Sequence, residues 1–235
     1  ASEGLNKLKT NIIGNVSHET RTPLNGIIGL ASVILQDPEA SEDIKSVGQM
    51  IHDSGERLLN TINRILKVAR MEKDQIDVVF ENIELVSLTK SILKPLEILA
   101  SQREQQMVFN HHKEAIDVVT DQHYYQQILT NLVSNAINYT HKGGYIEINL
   151  KIIHKNDKDF VCLSVEDNGI GISEEALDKI FDPFYTENDV TNQNDNSSGL
   201  GLYLVKTNAK YIGGTLEVQS EKYKGSIFQV KFEVD

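Results

Sequence analysis

The chain has 235 residues, 40% of them apolar, enough for one large domain or two modest ones with a buried core. Its 34 Asp and Glu outweigh 23 Lys and Arg, giving a formal charge of −11, which argues against the basic stripe that a nucleic-acid surface needs. The single cysteine, Cys162, excludes a disulfide framework and a thiolate zinc cluster and suits a reducing compartment, by default the cytoplasm.

The longest mostly apolar stretch, Gly26 to Leu35, is far short of the ~20 residues of a membrane span, so no direct membrane contact is expected. Residues Ala1 to Thr10 hold no apolar signal core and the chain does not open on Met, which reads as a soluble part of a longer polypeptide.

Two long helices are predicted first, from about Leu5 to Leu35 and from about Glu42 to Glu72. Pro38 stops the first, and Ser41 followed by Glu42 and Asp43 starts the second. Ile44, Ile51, Leu58 and Ile65 recur every seven residues, with Val47, Ser54, Thr61 and Val68 at the companion positions, a coiled-coil-like seam. Helices of roughly thirty residues, about 45 Å long, cannot bury such faces in a lone hairpin. The expectation is a homodimer forming a four-helix bundle; the alternative is a hairpin packed on the rest of its own chain.

Beyond Lys73 the period changes, and the domain boundary is expected near Asp74, dividing the chain into 1–74 and 75–235. A strand from Ile76 to Phe80 is followed by a helix from Leu85 to Ala100, broken near Pro95. Short strands follow at Met107 to Asn110 and Ala115 to Val119, then a helix capped by Asp121 and running to Tyr139. Strands Tyr145 to Ile153 and Phe160 to Glu166 form a hairpin turned by Lys155 to Asp159. A short helix from Glu174 to Ile180, a polar run, a helix from Leu200 to Ile212 and strands Thr215 to Ser220 and Ser226 to Val234 complete the pattern. Its order is that of an α/β sandwich with a mixed sheet. The Asn/Asp/Ser-rich run Asn188 to Ser198 cannot support a packed core.

Four segments hold chemistry. In Ser17-His18-Glu19-Thr20-Arg21-Thr22-Pro23-Leu24, His18 and Thr22 project from one helix face and Pro23 removes an amide, predicting a local bend. An imidazole whose N–H is held by a carboxylate is a nucleophile near neutral pH, and Glu19 is adjacent. A His beside a Glu is, alone, an ordinary surface pair. Asn131, Asn135 and Asn138 line one face of a helix whose other stripe is apolar. Amide oxygens are hard neutral ligands suited to Mg²⁺, though by spacing alone they could equally form an exposed polar face. In Asp167-Asn168-Gly169-Ile170-Gly171, a carboxylate at a strand end can accept from an exocyclic amine, and glycines let backbone approach a ring; alone, the segment is an ordinary turn. In Gly199-Leu200-Gly201, glycines open a helix whose free N–H groups and dipole welcome phosphate. The remaining histidines show no zinc-ligand spacing.

The octapeptide around His18 resembles the phosphoacceptor box of sensor histidine kinases. The other three segments resemble that family's asparagine box and two glycine boxes, in family order along essentially the whole chain. The resemblance implies an α+β fold: a dimerising helical hairpin, then an α/β sandwich of the histidine-kinase and Hsp90-like ATPase type, binding ATP and Mg²⁺. It implies that His18 accepts the phosphoryl group, Glu19 acts as its base and Thr22 positions water for dephosphorylating a partner. It makes Asn135 the metal ligand, lets Tyr139 lean on the nucleotide, and gives Asp167 the adenine amine. Gly169 and Gly171 would floor the base, and Gly199, Leu200 and Gly201 would receive phosphates, with Asn188 to Ser198 as a lid. Asn131 stands where ATP-hydrolysing relatives of the fold hold a glutamate base, and an amide cannot take a proton from water. Ser197 and Ser198 replace a glycine usual in the family, and Ser226 is expected to back Asp167 through water. The implied partner is a response-regulator receiver domain, whose aspartate takes the phosphoryl group. An ATP-hydrolysing clamp and a non-phosphorylating dimeric scaffold are the competing classes.

Overall fold

The computed structural model describes residues 20, 22–71, 78–187 and 199–234. The chain divides into two compact units, Ala1–Asp77 and Val78–Asp235. No helix of the described residues is long and apolar enough to cross a membrane.

In the first unit, α1 covers residues 22–36 and α2 is Glu42–Met71. The connection is built by short polar side chains: Asp37 Oδ1 accepts from the Glu39 amide at 2.9 Å, and Ser41 Oγ accepts from the Ile44 amide at 3.4 Å. Glu42 and Asp43 fill the first turn of α2, where negative charge meets the positive end of the helix dipole. The two helices meet over Leu24 and Ala31 on α1 and over Gly48 and Gly55 on α2, all buried. A Cβ on Gly55 would stand 2.5 Å from Ile28 Cγ1, and one on Gly48 would stand 3.0 Å from Ile34 Cγ2. Glycine is what lets the helices close up here. The larger apolar side chains of α2 face elsewhere: Ile44, Val47, Ile51 and Leu58 remain 39–55% exposed.

The second unit contains β1 (Glu81–Glu84), α3 (Leu85–Gln102), β2 (Gln106–His111), β3 (Asp117–Thr120), α4 (Gln122–Tyr139), β4 (Tyr145–Lys155) and β5 (Lys158–Asp167). It continues with α5 (Glu174–Leu177), α6 (Gly201–Tyr211), β6 (Gly214–Glu221) and β7 (Gly225–Val234). Five strands form one mixed sheet in the order β2-β4-β5-β7-β6, parallel only between β2 and β4, while β1 and β3 make a separate antiparallel pair. Alternation sorts the sheet into two faces: Ile146, Ile148, Leu150, Val230 and Phe232 are buried, while Glu147 and Asn149 on the other face of β4 are only partly covered. Tyr125, Ile128, Leu129 and Leu132 of α4, Leu93 of α3 and Val205 of α6 complete the core over that inner face.

Three local expectations differ from the structure. The predicted strand at Ile76 to Phe80 is displaced: Val78 to Phe80 are irregular and pairing begins at Glu81, residues 76 and 77 lying outside the described residues. The Val79 amide donates to Asp121 Oδ2 at 2.8 Å instead of to a strand, while Asp121 Oδ1 caps α4 at the Tyr124 amide, 3.0 Å away. Nor does Pro95 break its helix. It sits on the exposed side of α3, and Leu85, Val86, Thr89, Ile92, Leu93, Leu96 and Ala100 bury the opposite stripe on both sides of it, so packing outweighs the lost backbone bond. Finally, the β4–β5 turn is shorter than predicted: Asn156 and Asp157 both take positive φ, 53° and 60°, which closes a two-residue hairpin between Lys155 and Lys158.

Candidate nucleotide site

Two structures meet at one end of the second unit: the start of α6 facing α4, and the glycine loop that leaves β5. Helix α4 buries Ile128, Leu132, Val133, Ala136 and Ile137 against the core, which turns Asn131 and Asn135 to a half-buried face. A Cβ built on Gly201 would lie 3.6 Å from both amide atoms of Asn135 and 3.8 Å from Asn131 Oδ1. The first turn of α6 thus sits directly over the two asparagines. No side chain among the described residues caps it, so its leading N–H groups are available to an anion. Asn138, read from sequence as part of the same face, is exposed and stands apart from this group.

Gly199 has a φ of +63°, and a Cβ there would stand 2.5 Å from the Phe184 carbonyl carbon. Its carbonyl accepts from the Phe184 amide at 2.9 Å. Leu200 is buried, with 1% of its surface exposed, so its side chain belongs to the core and only its backbone can serve a ligand. Residues 188–198, the predicted lid with Ser197 and Ser198, lie outside the described residues.

At the end of β5, Asp167 is 8% exposed. Burial pushes its carboxyl up to about 6, against the opposing pull of hydrogen bonds from the Gly169 and Ser226 amides. The Gly169 amide donates to Oδ1 at 2.9 Å. Gly169 also lies against the end of α4: a Cβ would fall 2.2 Å from the Tyr139 carbonyl oxygen, which itself accepts from the Ile170 amide at 3.0 Å. Tyr139 and the loop are therefore joined through backbone. Gly171, at φ +64°, is wedged under the β6–β7 turn, where a Cβ would meet the Glu221 carbonyl oxygen at 2.0 Å.

The support beneath this loop was not legible from motifs. Ser220 Oγ accepts from the Ile172 amide at 2.9 Å, donates to the Gly225 carbonyl at 2.8 Å and lies 2.9 Å from Ser226 Oγ. The Ser226 hydroxyl, expected to back Asp167 through water, faces Ser220, and it is the Ser226 amide that reaches the carboxylate directly. Lys222 Nζ bonds Glu187 Oε1 at 2.9 Å and fastens the same turn to the segment after α5. Asn168 Oδ1 accepts from the Tyr145 amide at 2.7 Å, so this side chain ties the loop to β4.

The donor set fits a nucleotide with a hard divalent cation. A buried carboxylate and close-packed glycines suit an amino-substituted ring, and an uncapped helix start suits its phosphates. The asparagine amides offer neutral oxygens, and no group of three His, Cys, Asp or Glu that could hold a metal by itself occurs among the described residues. Neutral amide oxygens fit a hard divalent ion such as Mg²⁺, which takes few protein ligands and keeps phosphate oxygens and waters. Of the acceptor-box residues, His18 and Glu19 lie outside the described residues, and Thr22 stands in α1, exposed.

Two family models match the chain: the His Kinase A (phospho-acceptor) domain over residues 8–74, and the histidine kinase-, DNA gyrase B- and HSP90-like ATPase domain over residues 120–235. The autoinducer 2 sensor kinase/phosphatase LuxQ of Vibrio vulnificus (strain YJ016) is 32% identical over 237 residues, covering 97% of this chain and 27% of its own length. The chain therefore spans a little over a quarter of the length of that curated relative. Among solved structures, full-length ShkA in complex with AMPPNP aligns with a TM-score of 0.80 at 24% identity, over 95% of this chain and 46% of its own. Histidine kinase ThkA in complex with the response regulator protein TrrA aligns with a TM-score of 0.64 at 23% identity, over 96% of this chain and 61% of that one. The chain belongs to the sensor histidine kinases and contains the catalytic core of such an enzyme, a phospho-acceptor helical domain followed by an ATP-binding domain of the HSP90-like type.

Proposed function

We propose that this chain transfers the γ-phosphoryl group of ATP to His18 and then to an aspartate of a response-regulator receiver domain, and that it also dephosphorylates that partner. The observation behind this reading is the meeting of Asn131, Asn135 and Gly201 partway along α4 and of Asp167, Gly169 and Tyr139 at its C-terminal end. This spacing along one helix matches a ligand with phosphates at one end and an amino-substituted ring at the other. In this reading Asp167 accepts from the adenine amine, Gly169 and Gly171 floor the ring, and Tyr139 leans on it. The backbone of Gly199, Leu200 and Gly201 receives the phosphates. Asn135, beside Asn131, holds Mg²⁺, which neutralises triphosphate charge when bound.

Transfer breaks the bond between the β–γ bridging oxygen and the γ-phosphorus and forms a bond from that phosphorus to an imidazole nitrogen of His18. ADP departs. Glu19 holds the other ring N–H and, as positive charge develops on the imidazole, accepts its proton. Asn131 cannot deprotonate water, which favours transfer over hydrolysis. In the separate dephosphorylating reaction Thr22 would position the water that attacks the partner's aspartyl phosphate, releasing inorganic phosphate and the free carboxylate, a dual activity like that in LuxQ's name. Residues 1–74 serve dimerisation and phosphotransfer, and 75–235 serve catalysis. The exposed seam Ile44, Val47, Ile51 and Leu58 supports a homodimer, and the use of ATP suits the cytoplasm.

The test is incubation of the purified chain with γ-labelled ATP and Mg²⁺, with the product divided between acid and alkali. A phosphoramidate is lost in acid and kept in alkali. His18→Gln should abolish this label while ATP still binds. Acid-labile label persisting in His18→Gln would refute the acceptor assignment.

A further inference from the structure

Where the first turn of α6 meets Asn131 and Asn135 depends on how α6 is set along α4. On α4, Gln127, Asn131 and Asn135 share one face at spacings of four, and on α6, Gly201 and Asn208 share a face seven apart. Gly201 lies over the asparagines, and Asn208 Nδ2 donates to Gln127 Oε1 at 3.1 Å. The two helices therefore run antiparallel along this strip, with about 12 Å of α4 beside about 10.5 Å of α6 between the two meeting points.

Asn208 is an unexpected residue for its place. Its surface is 0% exposed, and Leu204, Val205, Ala209 and Ile212 around it on the same helix side are buried and apolar. Its Oδ1 is buried with no hydrogen-bond partner among the described residues. An unpaired buried carbonyl weakens a fold, and a leucine would fill the place without that cost. What an amide pair with one partner wholly buried in an apolar stripe supplies is register, because only one setting of the two helices satisfies that partner.

We infer that the Asn208–Gln127 pair is the pin that sets α6 along α4, which makes Asn208 a positioning residue for the phosphate end of the nucleotide. This rests on the reading that phosphates lie at the start of α6. The adenine end is placed by β5, its loop and the end of α4 at Tyr139, none of them part of α6, so the two ends of the ligand should respond differently when the pin that sets α6 is removed.

The experiment titrates the full chain with Mg²⁺-ATP and, separately, with AMP, for wild type, Asn208→Leu and the double variant Asn208→Leu with Gln127→Leu. Replacing both amides by apolar groups removes the unpaired buried carbonyl, and His123, which Gln127 also bonds, is exposed and can turn to water, so the double variant should melt at or above the wild-type temperature. Both variants are expected to lose about tenfold or more in ATP affinity while AMP affinity stays within about twofold. A double variant that binds ATP like wild type, or variants whose ATP and AMP affinities fall by the same factor, would reduce the pair to ordinary packing and overturn the inference. A wild-type chain that binds neither ligand would overturn the nucleotide site itself.

Discussion

Asp167→Asn separates what the buried carboxylate does for the fold from what it does for the ligand. An ordinary Asp carboxyl has a value of 3.8, and burial pushes Asp167 up to about 6. Ionising it in the folded chain therefore costs about 3 kcal/mol. The sign follows from proton binding: the folded state holds the proton more tightly than the unfolded state, so stability falls as pH rises from 3.8 through 6 and the full cost is present above that. Asparagine imitates the protonated acid. Its Oδ1 can still accept from the Gly169 amide, but its NH₂ would face the second donor, the Ser226 amide, forfeiting about 1 kcal/mol. The variant should thus equal wild type at about pH 4.5 and exceed it by about 2 kcal/mol at about pH 7.5. Urea denaturation at the two pH values measures this, read on the transition that added nucleotide shifts. The same variant loses a charge-assisted bond to the adenine amine and should bind ATP about 10- to 100-fold more weakly. A variant less stable than wild type at the higher pH, or a difference that does not change with pH, would refute the argument.

Gly169→Ala places a methyl group 2.2 Å from the Tyr139 carbonyl oxygen and 2.8 Å from Asp167 Oδ1. The loop should shift, stability should drop by about 2 kcal/mol and ATP binding should vanish; a wild-type melting curve would contradict this. Ile51→Glu with Leu58→Glu puts charge on the exposed seam of α2 and should yield monomers by light scattering, with ATP affinity unchanged. Tyr125→Phe removes a hydroxyl 2.7 Å from Thr89 Oγ1 in the buried contact between α3 and α4. It should cost about 1 kcal/mol in denaturation and leave ATP affinity untouched.

Features set by local chemistry are readable in the sequence. Ser41 and Asp121 both cap the helices predicted for them, and the strands β5 and β7 fall where apolar runs put them. The grouping of Asn131 and Asn135 with Gly201 was implied only through motifs, since 66 to 70 residues separate them in sequence. Features set by long-range partners were hidden. Val79 looks like a strand residue until Asp121, 42 residues away, takes its amide. Pro95 looks like a helix stop until packing on both sides of it is known. Asn208 left a trace, an amide on an otherwise apolar helix stripe, yet its meaning depends on Gln127, 81 residues earlier. The hydroxyl of Ser220 has no local signature at all, because its role comes from the turn folded over it.

The bond between the Phe184 amide and the Gly199 carbonyl brings together two points fifteen residues apart in the chain. With both ends fastened to the frame, the strand and helix on either side do not register how much chain runs between them. Closing a longer connection is cheap, about 0.6 kcal/mol for each doubling of its length. The number of residues between these two points can therefore change at little cost to the sheet and its core. The same joint is where an engineer could splice in a reporter peptide and expect the domain to fold around it.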